Sequence, residues 1–234
     1  MNVLAIGAHP DDLENSCGGT LAKLSRQGHR VFMVHVSNGD VGHRIIQPEE
    51  LSAIRRAEAQ KAGARINAEV ISLDARDLYI RSEDMELRRR AVDAIRYARP
   101  DFIITHNPSD YMDDHNETSK LVFEASMAAT INHYPSKHEF YEKLCPIYYM
   151  EPLSGVDSFP QEFVDISEDI ETKIAMLSEH QSQLTWLLEH DNIDILDMAR
   201  LMARFRGYQC GVMYAEGFTY CKQFHKIPVR RYLP

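Results

Sequence analysis

The stretch "NVLAIGAHPDDLENSCGGTLAKLSRQGHRVFMVHVS", residues 2–37, decides the fold. It opens on a short apolar run, NVLAIG, ended by Gly7, and closes on a second run of the same character, HRVFMVHVS at 29–37. Runs this short bounded by glycine read as buried strands. Between them, residues 16–28 read as a helix that Gly28 stops. Strand, helix and strand in that order make a parallel βαβ unit. The alternation continues with strand-like runs at 68–74 (AEVISLD), 100–106 (PDFIITH) and 145–151 (CPIYYME). The helix at 48–63 opens on Pro48 and closes on Gly63, and 83–99 carries a stripe of Met85, Leu87, Val92, Ile95 and Ala98. A βαβαβαβαβ pattern predicts an α/β fold: a Rossmann-like, mostly parallel sheet with helices on both faces and its site at the carboxyl ends of the strands. Two further helices, 167–190 and 194–207, are expected to pack on or cap the sheet, and the loops at 38–48 and 133–145 to lie over the site.

Residues 1–234 contain no repeat or low-complexity linker and are read as a single domain, long enough to bury a core without staples. The 26 basic against 35 acidic residues, net charge −9, argue against a nucleic-acid or anionic-membrane partner. Four cysteines, Cys17, Cys145, Cys210 and Cys221, have neither zinc-ribbon spacing nor a disulfide framework, which fits reduced thiols in a cytoplasm. The N-terminal run is too short for a signal peptide or a membrane span.

Two segments after strands carry the chemistry. The first is HPDD at 9–12; the second is HNPSDYMDDHNET at 106–118, with Asp110, Tyr111, Asp113, Asp114 and His115. Catalytic zinc takes three nitrogen or oxygen ligands from the protein and keeps a position for water, which it acidifies. His9, Asp12 and His115 supply such a set, and Asp11 is then free to take the proton from that water. Each segment alone has a plainer reading, HPDD as a surface turn and DYMDDH as an acidic helix cap. Their joint position after strands favours the metal reading. A dinucleotide site is discarded because GAHPDD lacks the second glycine of G-x-G-x-x-G and puts two negative charges where a pyrophosphate would sit.

The chain resembles the LmbE-like, or PIG-L, family of zinc-dependent N-deacetylases, which act on N-acetylglucosamine-containing substrates. The motifs that carry the resemblance are AHPDDLE at 8–14 with CGGTLAKL at 17–24, NGD at 38–40, RRAEAQKAG at 55–63, DYMDDH at 110–115, DISEDIETKIAMLSEHQSQ at 165–183 and GYQCGVMYAEGF at 207–218. The resemblance implies His9, Asp12 and His115 as metal ligands and Asp11 as general base. It implies that Asp114 holds the catalytic imidazole chemistry in place, and that Arg55 and Asp77 grip the sugar, although Arg55 also fits a plain surface pair with Glu50 or Glu58. It allows a homo-oligomer, a trimer or hexamer.

One position departs from the family pattern. Where the family reads His-x-Asp-His, this chain has Met112-Asp113-Asp114-His115. Methionine can neither stabilise an oxyanion nor protonate an amine, and loss of one such donor costs on the order of 100-fold in rate. His106, Tyr111 or His43 can supply the donor, and Tyr111 joins Arg55 and Asp77 among the expected substrate-binding residues. Otherwise zinc suffices alone, or the reaction is not deacetylation.

The expected function is therefore removal of an N-acetyl group from an N-acetylglucosamine-type small molecule, with Zn2+ or another divalent metal such as Fe2+ as cofactor. The first alternative is a zinc-dependent hydratase of an unsaturated dicarboxylate, with Arg44, Arg55 and Arg76 to grip carboxylates. The second is a non-catalytic carbohydrate-binding module. His180 fits a polar helix face and a site role equally and is left unassigned, whereas Tyr214 and Glu216 are read as an edge strand or turn and the apolar group around Trp186 (Leu184, Leu187, Leu188) as core.

Overall fold

A computed structural model of the chain describes residues 1–224 and 226–234. Seven strands form one sheet in the order β3-β2-β1-β4-β5-β7-β6. They are β1 (Asn2–Gly7), β2 (Arg30–Ser37), β3 (Glu69–Ala75), β4 (Phe102–His106), β5 (Ile147–Met150), β6 (Glu162–Asp165) and β7 (Ala215–Tyr220). The first five run parallel; β7 runs antiparallel to β5, and β6 antiparallel to β7. Each expected strand is present, because a continuous apolar run suits a strand buried on both faces.

The helices are α1 (Asp12–Arg26), α2 (Pro48–Ala64), α3 (Met85–Ala98), α4 (Asp113–Ala128), α5 (Ile170–Leu177), α6 (Gln181–Asp191) and α7 (Ile195–Cys210). Side chains alternate across a strand, so β1 feeds two cores. Leu4 and Ile6 pack with Leu87, Val92 and Ile95 of α3 and Leu121 and Val122 of α4 on one face. Val3 and Ala5 pack with Leu13, Cys17, Leu21 and Leu24 of α1 and Ile170 and Met176 of α5 on the other. Among the described residues no helix is long and apolar enough to cross a membrane.

Several sequence expectations are corrected. α1 begins at Asp12 rather than residue 16, since the chain enters the helix directly from the turn at Pro10 and uses Leu13 and Cys17 as its first buried turn. The single helix expected over 167–190 is two, because the break between α5 and α6 turns His180 into the interior, where it is fully buried beside Glu14. β6 was not anticipated, and β7 is an inner strand, with β6 at the edge. The loop at 133–145 lies at the far end of the sheet from the β1 and β4 carboxyl ends: the Tyr141 hydroxyl donates to Pro100 O at 2.9 Å and Lys143 pairs with Asp101 at 2.7 Å, both ahead of β4. Met85 is exposed and is no part of the core stripe.

The strand order places the site. From β1 the chain moves outward to β2 and β3, then returns to add β4 on the opposite side of β1. That reversal opens a crevice at the carboxyl ends of β1 and β4, the segments that lead into HPDD and HNPSDYMDDH. The two ends are tied together: Thr105 Oγ1 donates to Ile6 O at 2.8 Å, and Ala8 N donates to His106 Nε2 at 2.9 Å.

On the opposite side of α1, Gly19 meets the chain beyond β6, where a Cβ would lie 2.6 Å from Ile166 Cδ1. Alanine is ordinarily the better helix former by about 1 kcal/mol. Gly19→Ala is nevertheless expected to destabilise the fold, by roughly 1–3 kcal/mol of overpacking, read as a lower urea midpoint at unchanged slope.

Candidate active site

The β1–α1 turn separates two adjacent aspartates. Asp11 sits at φ 113°, ψ −24°, a left-handed conformation that non-glycine residues adopt at a cost and that clusters at functional sites. Asp12 turns back, with Oδ2 accepting from His9 N at 2.6 Å, while Asp11 faces Arg55, Nη2 to Oδ2 3.4 Å. Arg55 comes from α2 and is buried rather than paired on a helix surface: it donates to Pro10 O at 2.7 Å and Gly39 O at 3.3 Å. Gly39, in the NGD loop at φ 70°, is needed for that approach, since a Cβ there would lie 2.6 Å from Arg55 Nη1. Replacing Arg55 by methionine strips both carbonyls and Asp11 of their charged donor; the expected cost is roughly 2–3 kcal/mol in urea denaturation, with Asp11 titrating at higher pH in the variant.

His9, Asp12 and His115 each offer one ligand atom, all within 4.8 Å of one another. His9 Nε2 lies 3.2 Å from Asp114 Oδ2 and 3.1 Å from Asp77 Oδ1, which leaves Nδ1 on the Asp12 side at 3.4 Å. His115 Nδ1 lies 3.1 Å from Asp110 Oδ1 and Nε2 lies 3.3 Å from Asp12 Oδ1, yet neither nitrogen is in a hydrogen bond although both are buried. A buried imidazole with an orphaned nitrogen beside a carboxylate is what a cation site requires. Two overlapping groups also cluster, His106/Asp110/His115 and His9/Asp77/Asp114. The first set is preferred because it alone leaves Asp110 and Asp114 to orient the outer nitrogens of the two rings, the usual partnership around a metal-bound histidine.

The electrostatics agree. Burial opposes charge on His9, but Asp114, Asp12 and Asp77 outweigh it and hold its pKa well above the ordinary value. His115, likewise opposed by burial, is lifted to about 9 by Asp12 and Asp110. Asp12 is kept well below the carboxylate range, against burial, by His115 and His106. Asp11 goes the other way: burial pushes it up to about 6, with Arg55 resisting and Asp12 assisting. The neighbouring aspartates thus differ in the ease with which each takes up a proton.

These residues floor a cavity of about 330 Å³, into which Arg55, Asp77, Tyr111 and Met112 also face. Asp77 reaches both the cavity and His9, so it orients a ring as well as lining the pocket. His106 is removed as a donor: its Nε2 accepts from Ala8 N, its ring stacks on His115 at 3.9 Å, and burial, with His115, depresses it to about 4. His43 lies outside the lining, its Nδ1 accepting from Ile45 N and Ile46 N at 3.1 Å. Tyr111 remains, edge-on to His115 at 5.9 Å between ring centres, its hydroxyl kept protonated by a pKa of about 12 through burial and the Asp12, Asp110 and Asp11 charges.

The roof was not legible in the sequence. Trp186, Leu187 and Gln183 of α6, with Leu153, Glu151 and Ile195, line the pocket, so Trp186 and Leu187 are cavity wall, while Leu188 is exposed. Only Leu184 and Leu187 of α6 pack on the small cluster of Leu177, Ile195 and Ala199. Glu14 is fully buried without a hydrogen bond, 3.1 Å from His180 Nε2, so His180 is an interior ion-pair partner and no surface residue. The histidine in SEHQSQ was the available signal.

Fold and site define an α/β protein with a His/Asp/His centre at the switch point of a mostly parallel sheet. The chain belongs to the PIG-L family, described as GlcNAc-PI de-N-acetylase, which matches residues 4–126. It is 28% identical over 228 residues to the diacetylchitobiose deacetylase of Thermococcus kodakarensis, covering 93% of this chain and 82% of that protein. It is also 28% identical over 189 residues to the 4-oxalmesaconate hydratase of Pseudomonas putida, covering 75% and 71%. Among solved structures, the N,N'-diacetylchitobiose deacetylase of Pyrococcus horikoshii superposes with a TM-score of 0.80 at 27% identity, over 94% of this chain and 83% of that one.

Proposed function

We propose that the protein is a zinc-dependent N-deacetylase acting on a small N-acetylglucosamine-type conjugate. Zinc held by His9, Asp12 and His115 would supply Lewis acidity, polarising the acetamide carbonyl and acidifying water. Asp11 takes the proton from the attacking water as its oxygen bonds to the acyl carbon. When the C–N bond breaks, the same carboxyl returns a proton to the leaving nitrogen, giving acetate and an amine. Asp110 and Asp114 orient the two imidazoles. Tyr111, whose ring stands edge-on to His115 in the cavity lining and whose hydroxyl stays protonated, is the donor that offsets Met112.

The observation that carries this reading is the charge inventory of the cavity. Asp11, Asp12, Asp77 and Asp110 line it together with the paired Glu151 and Asp191, and beside the candidate metal-ligand imidazoles the one Lys or Arg among the described lining residues is Arg55, already engaged by Asp11 and two carbonyls. A neutral amide whose product is an ammonium suits such a pocket; an unsaturated dicarboxylate does not. Of the cations the hydratase reading needs, Arg44 is exposed outside the lining and Arg76 pairs with Asp40 at 3.2 Å. A pure binding module has no use for Asp11, a partly buried carboxyl whose pKa is pushed up to about 6. The test is acetate release from a panel of N-acetylglucosamine conjugates by metal-stripped and zinc-reloaded protein. Zinc-dependent release supports deacetylation; none from folded, reloaded protein, with consumption of an unsaturated dicarboxylate instead, overturns it.

A further inference from the structure

The cavity is two-toned. The metal-candidate residues and Asp11 give it a polar floor, while Leu78, Tyr111, Met112, Trp186, Leu187 and Leu153 supply an apolar outer wall that Gln183, Glu151 and Asp191 interrupt. Leu78 is the telling residue. It sits at φ 66°, where glycine or asparagine is at ease and a leucine is strained, and its side chain stays 53% exposed at the pocket. The backbone is pinned there by Leu78 N donating to Asp114 Oδ2 at 2.8 Å, the oxygen that also faces His9 Nε2. Tyr111 beside it is 68% exposed. The acids of the outer part carry no free countercharge: Glu151 pairs with Arg206 and Asp191 contacts His190 at 2.7 Å. The nearest further cation, Lys173, is closed against Glu216.

We propose that this outer wall is a subsite for the group attached to the sugar, and that it takes an uncharged apolar aglycone, aryl or alkyl, and rejects anionic ones. The inference rests on the deacetylase reading of the floor for its substrate, but the subsite can be probed without turnover. Trp186, the one tryptophan in the chain, lines the wall and reports occupancy by its fluorescence.

Two measurements decide it. The first compares kcat/KM for acetate release from N-acetylglucosamine, its hexyl glycoside and a carboxypentyl glycoside of equal length, with zinc-loaded protein. The hexyl glycoside is expected to exceed the free sugar at least tenfold, mostly through KM, with the carboxypentyl glycoside no better than the free sugar. Leu78→Asn, which accepts the left-handed backbone but removes the apolar surface, is expected to shrink the hexyl-to-free-sugar ratio at least fivefold. The second titrates Trp186 fluorescence with the same compounds; the hexyl glycoside is expected to bind at least tenfold more tightly than N-acetylglucosamine. Acetate release indifferent to the aglycone, or favouring the carboxylate, overturns the subsite and leaves the deacetylase reading standing. Preferential hexyl binding without acetate release upholds the subsite and overturns the deacetylase. Equal binding of all three overturns the subsite whatever the chemistry.

Discussion

Asp11→Asn is expected to lower kcat for acetate release by about 10²–10⁴-fold, the range for loss of a positioned general base. Asparagine tolerates the left-handed backbone at φ 113° better than most residues, so the turn and the Asp12 ligand position survive, and zinc content is unchanged. A drop of less than about tenfold would remove Asp11 as the base. The same variant reports on stability. In the metal-free protein Asp11 titrates at about 6, above its ordinary 3.8, so ionisation is harder folded than unfolded. Stability is therefore highest while Asp11 is protonated and is lost as pH rises from about 4 to about 6. Metal-free Asp11→Asn, which mimics the protonated acid, should melt no lower than wild type at pH 8, with any advantage vanishing near pH 4. A bound cation favours the carboxylate, so the acid limb of wild-type activity falls at or below pH 6.

Metal removal has the other large effect. Chelation is expected to abolish turnover and lower the melting temperature, because a cation that binds the folded site and not the unfolded chain stabilises the fold, and without it His9 and His115 carry protons where the cation would sit. At one hundred times Kd, added zinc stabilises by about 2.7 kcal/mol, a shift visible in calorimetry. Since His115 titrates at about 9 without metal, binding near pH 7 releases protons and the affinity strengthens as pH rises toward 9. Asp114→Asn, which disturbs the outer nitrogen of His9 and the hydrogen bond from Leu78 N, should weaken zinc affinity by about 10–100-fold. Activity and melting temperature indifferent to chelation would refute the metal centre.

The parallel part of the fold was legible because β1, β2, β4 and β5 are buried almost throughout and so read as apolar runs, while β3, at the sheet edge and exposed at Glu69, Ser72 and Asp74, was legible from its alternation of apolar and polar residues. The site floor was legible because strand order brings the two polar segments after β1 and β4 to one crevice. Local polarity misled elsewhere. The helix was read as starting at residue 16, yet Asp12 and Glu14 occupy the first turn of α1, where negative charge suits the helix N-terminus. His180 fitted a polar helix face, but it is buried against Glu14, a carboxylate supplied from far away in sequence, and Lys173 is likewise buried against Glu216. Such pairs leave no periodic trace. The second role of Asp77, on His9, is equally invisible until a left-handed Leu78 and the β3–α3 loop fold over the ring.

The helix α6 has no fully buried residue and is held by few attachments: Ser182 N and Oγ donate to Glu58 at 2.8 and 2.6 Å, and Trp186 leans on His43 at 5.8 Å. Floor and roof of the pocket thus draw on separate reserves of stability. The candidate ligand residues are anchored at the ends of β1 and β4, whereas α6 contributes Trp186, Leu187 and Gln183 from a helix with no fully buried residue, so that side of the pocket can be altered at smaller energetic cost than the floor.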